Sequence, residues 1–422
     1  MDNTKPQPGA WVIVALLFGF MMINFIDKAI IGIAGIPIMK DLGLTPKQFG
    51  LVNSAFFFLF SVSGLVMGFL VNRVQARWVL LAMVSIWSLV QFPMLGSVSF
   101  GGLIAARMAL GAGEGGSFPI ALHAAYKWFP NRLRMLPTAI ISQGASVGVV
   151  IALPLLELLI EETSWHAAFG ALGVLGLLWV AAWLKWGKEG SLADTPTVVA
   201  AVPQARIAYR KLIFNRTTIA VLLSGFGGNW ALALLVGWFP PFLIQGLHFT
   251  PKEASWLTTV PWLVSPVVVI GASWLSQHML ARQFTTRAAR GLMAGICVTA
   301  GGIAMIALRQ MPSPALQITM MVTSLALLSV TFGMGHAMLS EYTPTAQRGL
   351  MLAINNAFAT TAGMIGPYLM GSVLQDALAS GATAAQGYGL GYQICGIVCL
   401  VVGINGIINL RPNAEVARLV IP

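Results

Sequence analysis

The sequence predicts an all-α membrane protein whose twelve transmembrane helices form two six-helix pseudo-repeats. Three observations support this fold class: the composition, the lengths of the apolar segments, and one polar interval near the middle of the chain. Of the 422 residues, 57% are hydrophobic and 9% are charged, whereas charged residues make up roughly a quarter of a soluble domain. Such a composition is typical of a chain that crosses a lipid bilayer repeatedly.

Apolar segments recur along the whole chain, and each is long enough to cross a hydrocarbon core of roughly 30 Å as an α-helix. Lipid offers no hydrogen-bond partners to exposed backbone, so these segments are predicted to be helical. The predicted spans are residues 11–38, 48–71, 78–97, 100–128, 136–160, 165–187, 217–244, 254–279, 290–309, 315–341, 349–375 and 386–410.

A polar interval at residues 188–216, rich in Pro, Thr and Arg, contains no apolar span. It predicts an N-terminal six-helix bundle at residues 1–187, a cytoplasmic linker at 188–216 and a C-terminal six-helix bundle at 217–422. Two parallel six-helix repeats would place a substrate cavity between the halves, near the midplane of the bilayer. A spacing that recurs in both halves supports the repeat, because Gln143 and Asn356 each precede a proline by eleven residues.

The formal net charge of +11 raises the question of nucleic-acid binding, but the positions of the basic residues indicate another cause. Most of the 24 Lys and Arg residues fall in segments that are cytoplasmic if both termini lie inside, as the positive-inside rule requires. The basic character therefore reports orientation, and no nucleic-acid partner is predicted. We expect a multi-pass protein of the cell's inner (plasma) membrane, with both termini in the cytoplasm.

Two glycine-rich segments match enzyme motifs in residue pattern but not in the structural context that those motifs need. Residues 110–116 contain a formal GxGxxG, and GASVG at 144–148 matches a nucleophile elbow. Both lie inside predicted membrane helices, without the strand that either motif needs, and close packing of small residues explains both. The three cysteines fall in apolar helices and form no metal-binding pattern. No enzyme activity, cofactor or metal is therefore expected.

Four charged residues lie in helix interiors of the first half: Asp27, Lys28, Arg107 and Glu114. Each costs roughly 2.5 to 3.5 kcal/mol at the membrane centre on insertion scales, so a function is needed to explain them. Asp27 and Lys28 point about 100° apart on a helix and cannot neutralise each other face to face. Arg107 and Glu114 lie on one helix face about 10.5 Å apart, so they can bracket a cavity rather than touch.

Glu114 is a candidate proton carrier. The glycine-rich sequence around it, residues 111–116, lets backbone and water approach its carboxyl, so its protonation can follow the hydration of a cavity. The alternative is a fixed ion network, for example Asp27 with Arg107 across the first and fourth spans. Arg107 stays protonated throughout the transport cycle, and it serves either as a permanent counter-ion or as a carboxylate ligand.

The helix interiors of the second half carry no fixed charge, and His336 is the candidate titrating group there. A lone histidine in a helix is often a hydrogen-bonded core residue, and that alternative stays open. The asymmetry suggests that the first half handles protons and anionic charge. The second half would then offer Asn356, His336, Trp230 and Trp238 to the body of a substrate.

Six segments together carry a family resemblance: FIDKA (25–29), RMALGAGEGGSFP (107–119), WFP (128–130), SWHAAFGALGVLGLLW (164–179), GWFPPFLIQ (237–245) and NNAFATTAGMIGPYLMG (355–371). They resemble the anion:cation symporter family of the major facilitators, over nearly the whole chain. The resemblance implies the major facilitator fold and alternating-access movement of organic anions, driven by protons or sodium.

The resemblance also implies roles for single residues. The acids of the first and fourth spans, here Asp27 and Glu114, would take part in cation coupling. Lys28 stands where the family usually has an arginine that contacts the substrate carboxylate in bacterial members. Asn356 matches a position that contacts substrate in sugar-acid carriers.

Other positions depart from the pattern of the sugar-acid carriers. Phe25 and Phe60 stand where tyrosines are seen, and His336 falls where such carriers can have an aromatic residue. A cavity glutamine expected near Ala145 is absent unless Gln143 substitutes for it. Each exchange removes a partner for sugar hydroxyls, which a site discriminates by hydrogen bonding. The departures therefore favour an aromatic or otherwise apolar carboxylate.

The sequence thus predicts a secondary active transporter that imports a small organic carboxylate by proton-coupled symport. In this scheme Asp27 acts with Arg107 and Glu114 in cation coupling, while Lys28 faces the anion. A sugar-acid (hexonate or hexuronate) symporter is the alternative; a proton-coupled efflux pump and a non-transporting membrane sensor are less favoured. The expected partners are the organic anion, protons rather than sodium, and the lipid bilayer, with the chain acting as a monomer.

Overall fold

The computed structural model describes residues 5–70, 73–130, 133–192 and 207–419. Within those ranges the chain forms helices and connecting turns. The α-helices are α1 Ala10–Ile33, α2 Gly35–Asp41, α3 Pro46–Leu70, α4 Ala76–Gln91, α5 Phe100–Glu114, α6 Ser117–Tyr126, α7 Met135–Glu162, α8 Trp165–Trp186, α9 Tyr209–Ile213, α10 Arg216–Pro241, α11 Pro251–Ala281, α12 Met293–Ala307, α13 Pro314–Tyr342, α14 Thr345–Thr360, α15 Ala362–Ala379, α16 Ala384–Asn409 and α17 Pro412–Leu419. Four short 3₁₀ or π turns extend three of these helices: Phe92–Leu95 follows α4, Phe242–Gly246 follows α10, and Arg287–Leu292 and Leu308–Gln310 lie at the two ends of α12.

The twelve predicted spans are all present as helical segments, but three are not one continuous helix: the first is interrupted at Ala34, the fourth at Gly115 and Gly116, and the eleventh at Thr361. In the described part of the chain, eleven helical spans are long and apolar enough to cross a membrane. The fourth predicted span consists of α5 and α6, which are separated at Gly115 and Gly116. Gly116 has a φ of 79°, in the left-handed region that glycine adopts without steric cost. The prediction of an unbroken helix over 100–128 was therefore wrong.

The chain divides into two compact units. One contains residues 1–44, 55–201 and 250–259, and the other contains 45–54, 202–249 and 260–422. They are called the N-terminal and C-terminal units below. Residues 193–206 of the predicted linker lie outside the described ranges.

The start of α3 belongs to the C-terminal unit because of close contacts made there. The hydroxyl of Ser54 accepts a hydrogen bond from the backbone N–H of Tyr368 at 3.1 Å. A Cβ atom at Gly50 would lie 2.5 Å from the carbonyl oxygen of Pro367. Apart from this short segment and residues 250–259, the units follow the two halves of the sequence.

In the N-terminal unit, α1 and α7 pack backbone against backbone. A Cβ atom at Gly144 would lie 2.5 Å from the carbonyl oxygen of Phe18, and one at Gly148 would lie 2.7 Å from the Cα atom of Met22. The GASVG segment is therefore a helix-packing surface. Such small-residue contacts let membrane helices approach closely.

The positions of α1, α4 and α8 are fixed by three large aromatic side chains. The Phe20 ring lies 5.0 Å from the Trp87 ring and 5.6 Å from the Trp179 ring, measured between centroids. The indole of Trp179 also donates to the carbonyl oxygen of Leu16 at 2.7 Å. This packing sets the mutual position of α1 and α4, which each contribute polar residues to the cluster described below.

At the other end of the N-terminal unit, Glu189 joins the segment after α8 to the start of α4. Its carboxylate accepts hydrogen bonds from the backbone N–H groups of Arg77 at 2.9 Å and Ala76 at 3.3 Å, and it pairs with Lys127. Partial burial by itself raises the pKa of Glu189, but the hydrogen bond from Lys127, those from the backbone and the Lys127 charge together lower it. A carboxylate at a helix N-terminus also suits the helix dipole.

Candidate functional site

A buried polar cluster lies in the N-terminal unit, at the ends of α1, α4 and α5. Its centre is an ion pair between the Nζ atom of Lys28 and the Oε2 atom of Glu114, at 2.6 Å. The Glu114 side chain is fully buried, whereas the Lys28 side chain is 11% exposed. The Oε1 atom of Glu114 has no hydrogen-bond partner among the described residues.

Lys28 has further partners on its own helix and among aromatic rings. Its Nζ atom donates to the side-chain oxygen of Asn24 at 2.5 Å and approaches the Asn24 carbonyl oxygen at 3.3 Å. The same atom lies 4.8 Å from the Phe25 ring centroid, 5.2 Å from Phe60 and 5.8 Å from Phe56. These distances fall within the range of cation–π attraction.

Asp27 is held on a different side of α1. Its Oδ1 atom accepts a hydrogen bond from the Nε2 atom of Gln91 at 3.0 Å, and its Oδ2 atom has no partner among the described residues. The residue is 1% exposed. A buried carboxylate oxygen without a partner is costly, so protonation or an incoming donor would relieve it.

Arg107 lies in the same unit without a described carboxylate partner. Its guanidinium stacks over the Phe56 ring at 4.9 Å, and its Nε and Nη1 atoms have no hydrogen-bond partner in the described part of the chain. The alternative of an Asp27–Arg107 ion pair is not seen, since the only ion pair described for this cluster joins Lys28 to Glu114. Arg107 therefore has unused N–H donors.

The structure groups the four charged residues differently from the sequence scheme. That scheme set Lys28 apart to face the anion and placed Glu114 with Asp27 and Arg107. In the structure Lys28 on α1 and Glu114, the last residue of α5, are paired directly. The separation of Asp27 from Lys28 does hold, because each has its own partner.

Sequence reasoning missed the neutral residues that organise the cluster: Asn24, Gln91, Ser117 and Phe56. Asn24 stands one helical turn before Lys28, a spacing that places two side chains on one face. That spacing was a usable signal. Nothing in the sequence indicates that Gln91 meets Asp27, because the contact joins residues in separate helices.

The candidate residues of the C-terminal unit do not form a comparable cluster. Asn356 is exposed, His336 is half-buried, and neighbouring Asn355 is buried at 6% exposure. The Oδ1 atom of Asn355 has no hydrogen-bond partner among the described residues. Asn355 was not among the predicted site residues, although it adjoins one of them.

Trp238 was predicted to offer aromatic surface to the substrate, and the structure instead buries it completely. Its indole donates to the carbonyl oxygen of Pro367 at 3.0 Å, and its ring packs edge-on against Phe49 at 5.2 Å. It is a core residue of the C-terminal unit. Trp230 is also largely buried, at 7% exposure, and lies against Phe226.

Gln143 lies on α7 in the N-terminal unit with its side chain exposed. It adjoins Gly144, which contacts α1. The structure thus brings Lys28 and Glu114 together, with Phe25 and Phe60 beside the ammonium. It shows no contact between Gln143 and this cluster.

The family model of the Major Facilitator Superfamily matches residues 16–300 and 239–418. The chain belongs to the major facilitator superfamily. The superfamily consists of membrane transporters, so the chain is a transporter and not an enzyme.

Curated relatives are anion and sugar-acid carriers, in agreement with the anion:cation symporter resemblance. The sodium-dependent phosphate transport protein 1 of Arabidopsis thaliana chloroplasts is 26% identical over 87% of this chain and 74% of its own. The hexuronate transporter of Bacillus subtilis is 23% identical over 86% of this chain and 88% of its own.

Solved structures share the fold of this major facilitator chain. A bacterial homologue of the human lysosomal transporter Spinster, in an inward-facing and unoccupied conformation, matches with a TM-score of 0.80. The match covers 97% of this chain and 99% of the other, at 18% identity. The predicted two-repeat, twelve-helix fold is confirmed by this likeness.

Proposed function

We propose that this major facilitator protein imports a small organic carboxylate by proton-coupled symport. The observation that carries the proposal is the Lys28–Glu114 ion pair, in which a lysine whose side chain is 11% exposed is paired with a fully buried glutamate. An anionic substrate and Glu114 would compete for the same ammonium. Protonation of Glu114 would therefore release Lys28 for the substrate.

The charge balance of the cluster supports coupling. Asp27 and Glu114 supply two negative charges, and Lys28 and Arg107 supply two positive charges, so the cluster is neutral when all four are ionised. Binding one proton leaves an excess of one positive charge, which a single substrate carboxylate balances. A buried site strongly disfavours an unbalanced charge, so proton and carboxylate binding favour each other.

Asp27 is proposed as a second proton site, because its Oδ2 atom is buried and unpartnered. Arg107 is proposed to bind or balance the substrate carboxylate, because two of its nitrogens lack partners. A guanidinium suits carboxylate binding by paired hydrogen bonds. In the C-terminal unit, Asn356 and His336 are proposed substrate contacts on the family resemblance, and the exposed Gln143 is a further one.

The aromatic surroundings of Lys28 favour an aromatic carboxylate. Phe25, Phe56 and Phe60 all lie within 5.8 Å of the ammonium, and none of these rings carries a hydroxyl. Aromatic pairs in offset or edge-on geometry add roughly 0.5 to 1.5 kcal/mol beyond area burial. A sugar acid is the second candidate, because the B. subtilis relative is named a hexuronate transporter.

The test is uptake by the purified protein in proteoliposomes under an imposed inward proton gradient. Radiolabelled phthalate and D-glucuronate serve as the aromatic and sugar-acid probes, and a trapped pH dye reports the interior. We expect accumulation of one probe together with internal acidification. Internal alkalinisation on substrate entry would show antiport and reject the proposal. Uptake driven by a sodium gradient at constant pH would identify sodium, and not the proton, as the coupling ion, in line with the name of the sodium-dependent phosphate relative.

A further inference from the structure

A chain of hydrogen bonds links the Lys28 ammonium to the helix break beside Glu114. The Nζ atom of Lys28 donates to the Oδ1 atom of Asn24 at 2.5 Å, and the Nδ2 atom of Asn24 donates to the hydroxyl oxygen of Ser117 at 3.1 Å. The Ser117 hydroxyl donates in turn to the backbone carbonyl oxygen of Glu114. Asn24 and Ser117 are buried, with 1% and 4% exposure.

The direction of every hydrogen bond in this chain is fixed by its two ends. An ammonium can only donate, and a carbonyl oxygen can only accept. Ser117 therefore gives its hydrogen to Glu114 and accepts from an N–H group. The Asn24 amide must then direct its nitrogen to Ser117 and its oxygen to Lys28. An alanine would remove both bonds, and an ionised aspartate would keep only the one to Lys28.

We propose that Asn24 is a positioning residue for Lys28. Asn24 holds the Lys28 ammonium when Glu114 takes a proton, and it thereby sets the pH at which the ion pair opens. The inference rests on the proposed function, and it adds a residue that acts through Lys28. Asn24 itself is enclosed, so it is not placed in contact with substrate.

The physical basis is a difference between two states of the ion pair. While Glu114 is ionised, Lys28 has both Glu114 and Asn24 as acceptors. When Glu114 is protonated and no substrate is bound, Asn24 is the remaining side-chain acceptor described for the ammonium. Removing Asn24 therefore destabilises the protonated state more than the ionised state, and Glu114 should then take its proton only at lower pH.

Other charges around the network are Arg107 on α5 with Glu114, and Asp27 on α1. The faces of Phe56 and Phe60 come from α3. No ion pair from α4, α6, α7 or α8 reaches Lys28 in the described part of the chain. Glu114 is thus the carboxylate whose titration Asn24 would affect through Lys28.

The experiment measures protonation of Glu114 without any substrate. Infrared difference spectra of the purified full-length protein, recorded across pH, report the carbonyl stretch of a protonated carboxyl group. The part of the band that disappears in Glu114→Gln belongs to Glu114. The band is then recorded for Asn24→Ala, Asn24→Asp and Ser117→Ala.

We expect Asn24→Ala to move the pH midpoint of this band down by about one pH unit, the equivalent of one charged-group hydrogen bond. Asn24→Asp should move it up by about one unit or more, because two carboxylates would then share one ammonium. Ser117→Ala should give a smaller shift in the direction of Asn24→Ala, and it keeps the test open if the Asn24 variants fold poorly.

The matched control is Ser63→Ala. Ser63 also donates its hydroxyl hydrogen to a carbonyl of α5, that of Ala112 at 2.5 Å, but it lies outside the Asn24 chain. A purely structural role of such hydroxyls would give the same effect in Ser63→Ala and Ser117→Ala. We expect no shift of the midpoint in Ser63→Ala.

Midpoints equal to wild type in both Asn24 variants would overturn the inference, even if the wild-type protein imports phthalate or D-glucuronate with protons. Shifts of opposite sign in the two variants would support it. Shifted midpoints without proton-coupled uptake of either probe by the wild type would support the positioning of Lys28 and reject the proposed function. The two failures are therefore distinguishable.

Discussion

The Nζ atom of Lys28 lies 2.6 Å from the Oε2 atom of Glu114, and this pair joins α1 to the end of α5. The two residues are 86 positions apart in the sequence, and each lies in a predominantly apolar helix. Their pairing gives a physical route from proton binding to anion binding, because a protonated Glu114 no longer holds the ammonium.

Glu114→Gln mimics the protonated carboxyl and should uncouple transport. We expect the variant to bind the transported probe at least as well as wild type, because Lys28 has lost its ionic competitor. Accumulation driven by a pH gradient should fall to the equilibrium level, while exchange of labelled for unlabelled probe continues. The measurement is uptake and exchange in proteoliposomes at several pH values.

The control for this prediction is Glu161→Gln, which neutralises an exposed carboxylate on α7. It should leave gradient-driven uptake unchanged. Undiminished accumulation in Glu114→Gln would exclude Glu114 from the coupling step.

Lys28→Ala should weaken probe binding and destabilise the protein. Truncating one partner of a buried charge pair typically costs 2 kcal/mol or more of binding, which is about thirtyfold in affinity. The Glu114 carboxylate, fully buried, would also lose its counter-charge, at a stability cost of about 3 to 5 kcal/mol. Binding is measured by equilibrium dialysis and stability by thermal unfolding in detergent.

The double variant Lys28→Ala with Glu114→Gln separates these two effects. It should regain most of the lost thermal stability, since removing both members of the pair leaves neither charge without its partner, and it should still bind the probe poorly. Unchanged affinity in the Lys28 variant would make the ion pair purely structural.

Exchanges at Phe25 and Phe60 should change substrate preference. Phe60→Ala should reduce the affinity for phthalate by about fivefold, since an aromatic contact is worth about 1 kcal/mol, and should reduce the affinity for D-glucuronate less. Phe25→Tyr and Phe60→Tyr add hydroxyl groups and should raise the affinity for D-glucuronate relative to the affinity for phthalate. Competition uptake assays measure the ratio of the two affinities. An equal loss of affinity for both probes in Phe60→Ala would mean that the ring only positions Lys28 and does not contact the substrate.

Glu189→Gln should remove a pH-dependent part of the stability of the N-terminal unit. Because the pKa of Glu189 is lowered in the folded protein, its contribution is present above the ordinary glutamate value of 4.5 and is lost as the pH falls below it. The variant should therefore melt earlier than wild type at neutral pH, and the difference should shrink in acid. Thermal unfolding across pH checks this, and a difference that grows in acid would contradict it.

Gly144→Val should disrupt the contact of α7 with α1. A Cβ atom at this position would meet the carbonyl oxygen of Phe18 at 2.5 Å, so the helices must separate. Overpacking of this kind typically costs about 1 to 3 kcal/mol. Gly333→Val is the comparison, because no atom lies within 4 Å of a Cβ atom built there. Thermal unfolding and the yield of monodisperse protein measure the effect, and equal behaviour of the two variants would contradict the packing argument.

Much of the fold followed from local features of the sequence. Runs of apolar residues of the right length predict membrane helices because lipid leaves the backbone no other partner. The break at Gly115 and Gly116 was not predicted, although the glycines were noted. A glycine permits a left-handed residue but does not require one, and the close approach of α5 to α3 at these positions is a tertiary contact.

The candidate site was predictable in part. The cost of a charge in the membrane singled out Asp27, Lys28, Arg107 and Glu114, and the structure places all four in one unit, with Lys28 and Glu114 in direct contact. Trp238 shows the opposite case, because an aromatic residue in a membrane helix has the same local signal whether it lines a cavity or packs in a core. Its complete burial depends on Phe49 and Pro367, which are distant in sequence.

The sequence by itself determined which residues carry charge into the membrane, because that cost depends only on residue type and on the apolar helix around it. The tertiary structure decided which charges meet. Lys28 pairs with Glu114, Asp27 accepts a hydrogen bond from Gln91, and Arg107 keeps N–H donors without a described partner. Those pairings depend on how helices far apart in the sequence are packed, and helix packing is set by the summed fit of many side chains, which no local pattern records.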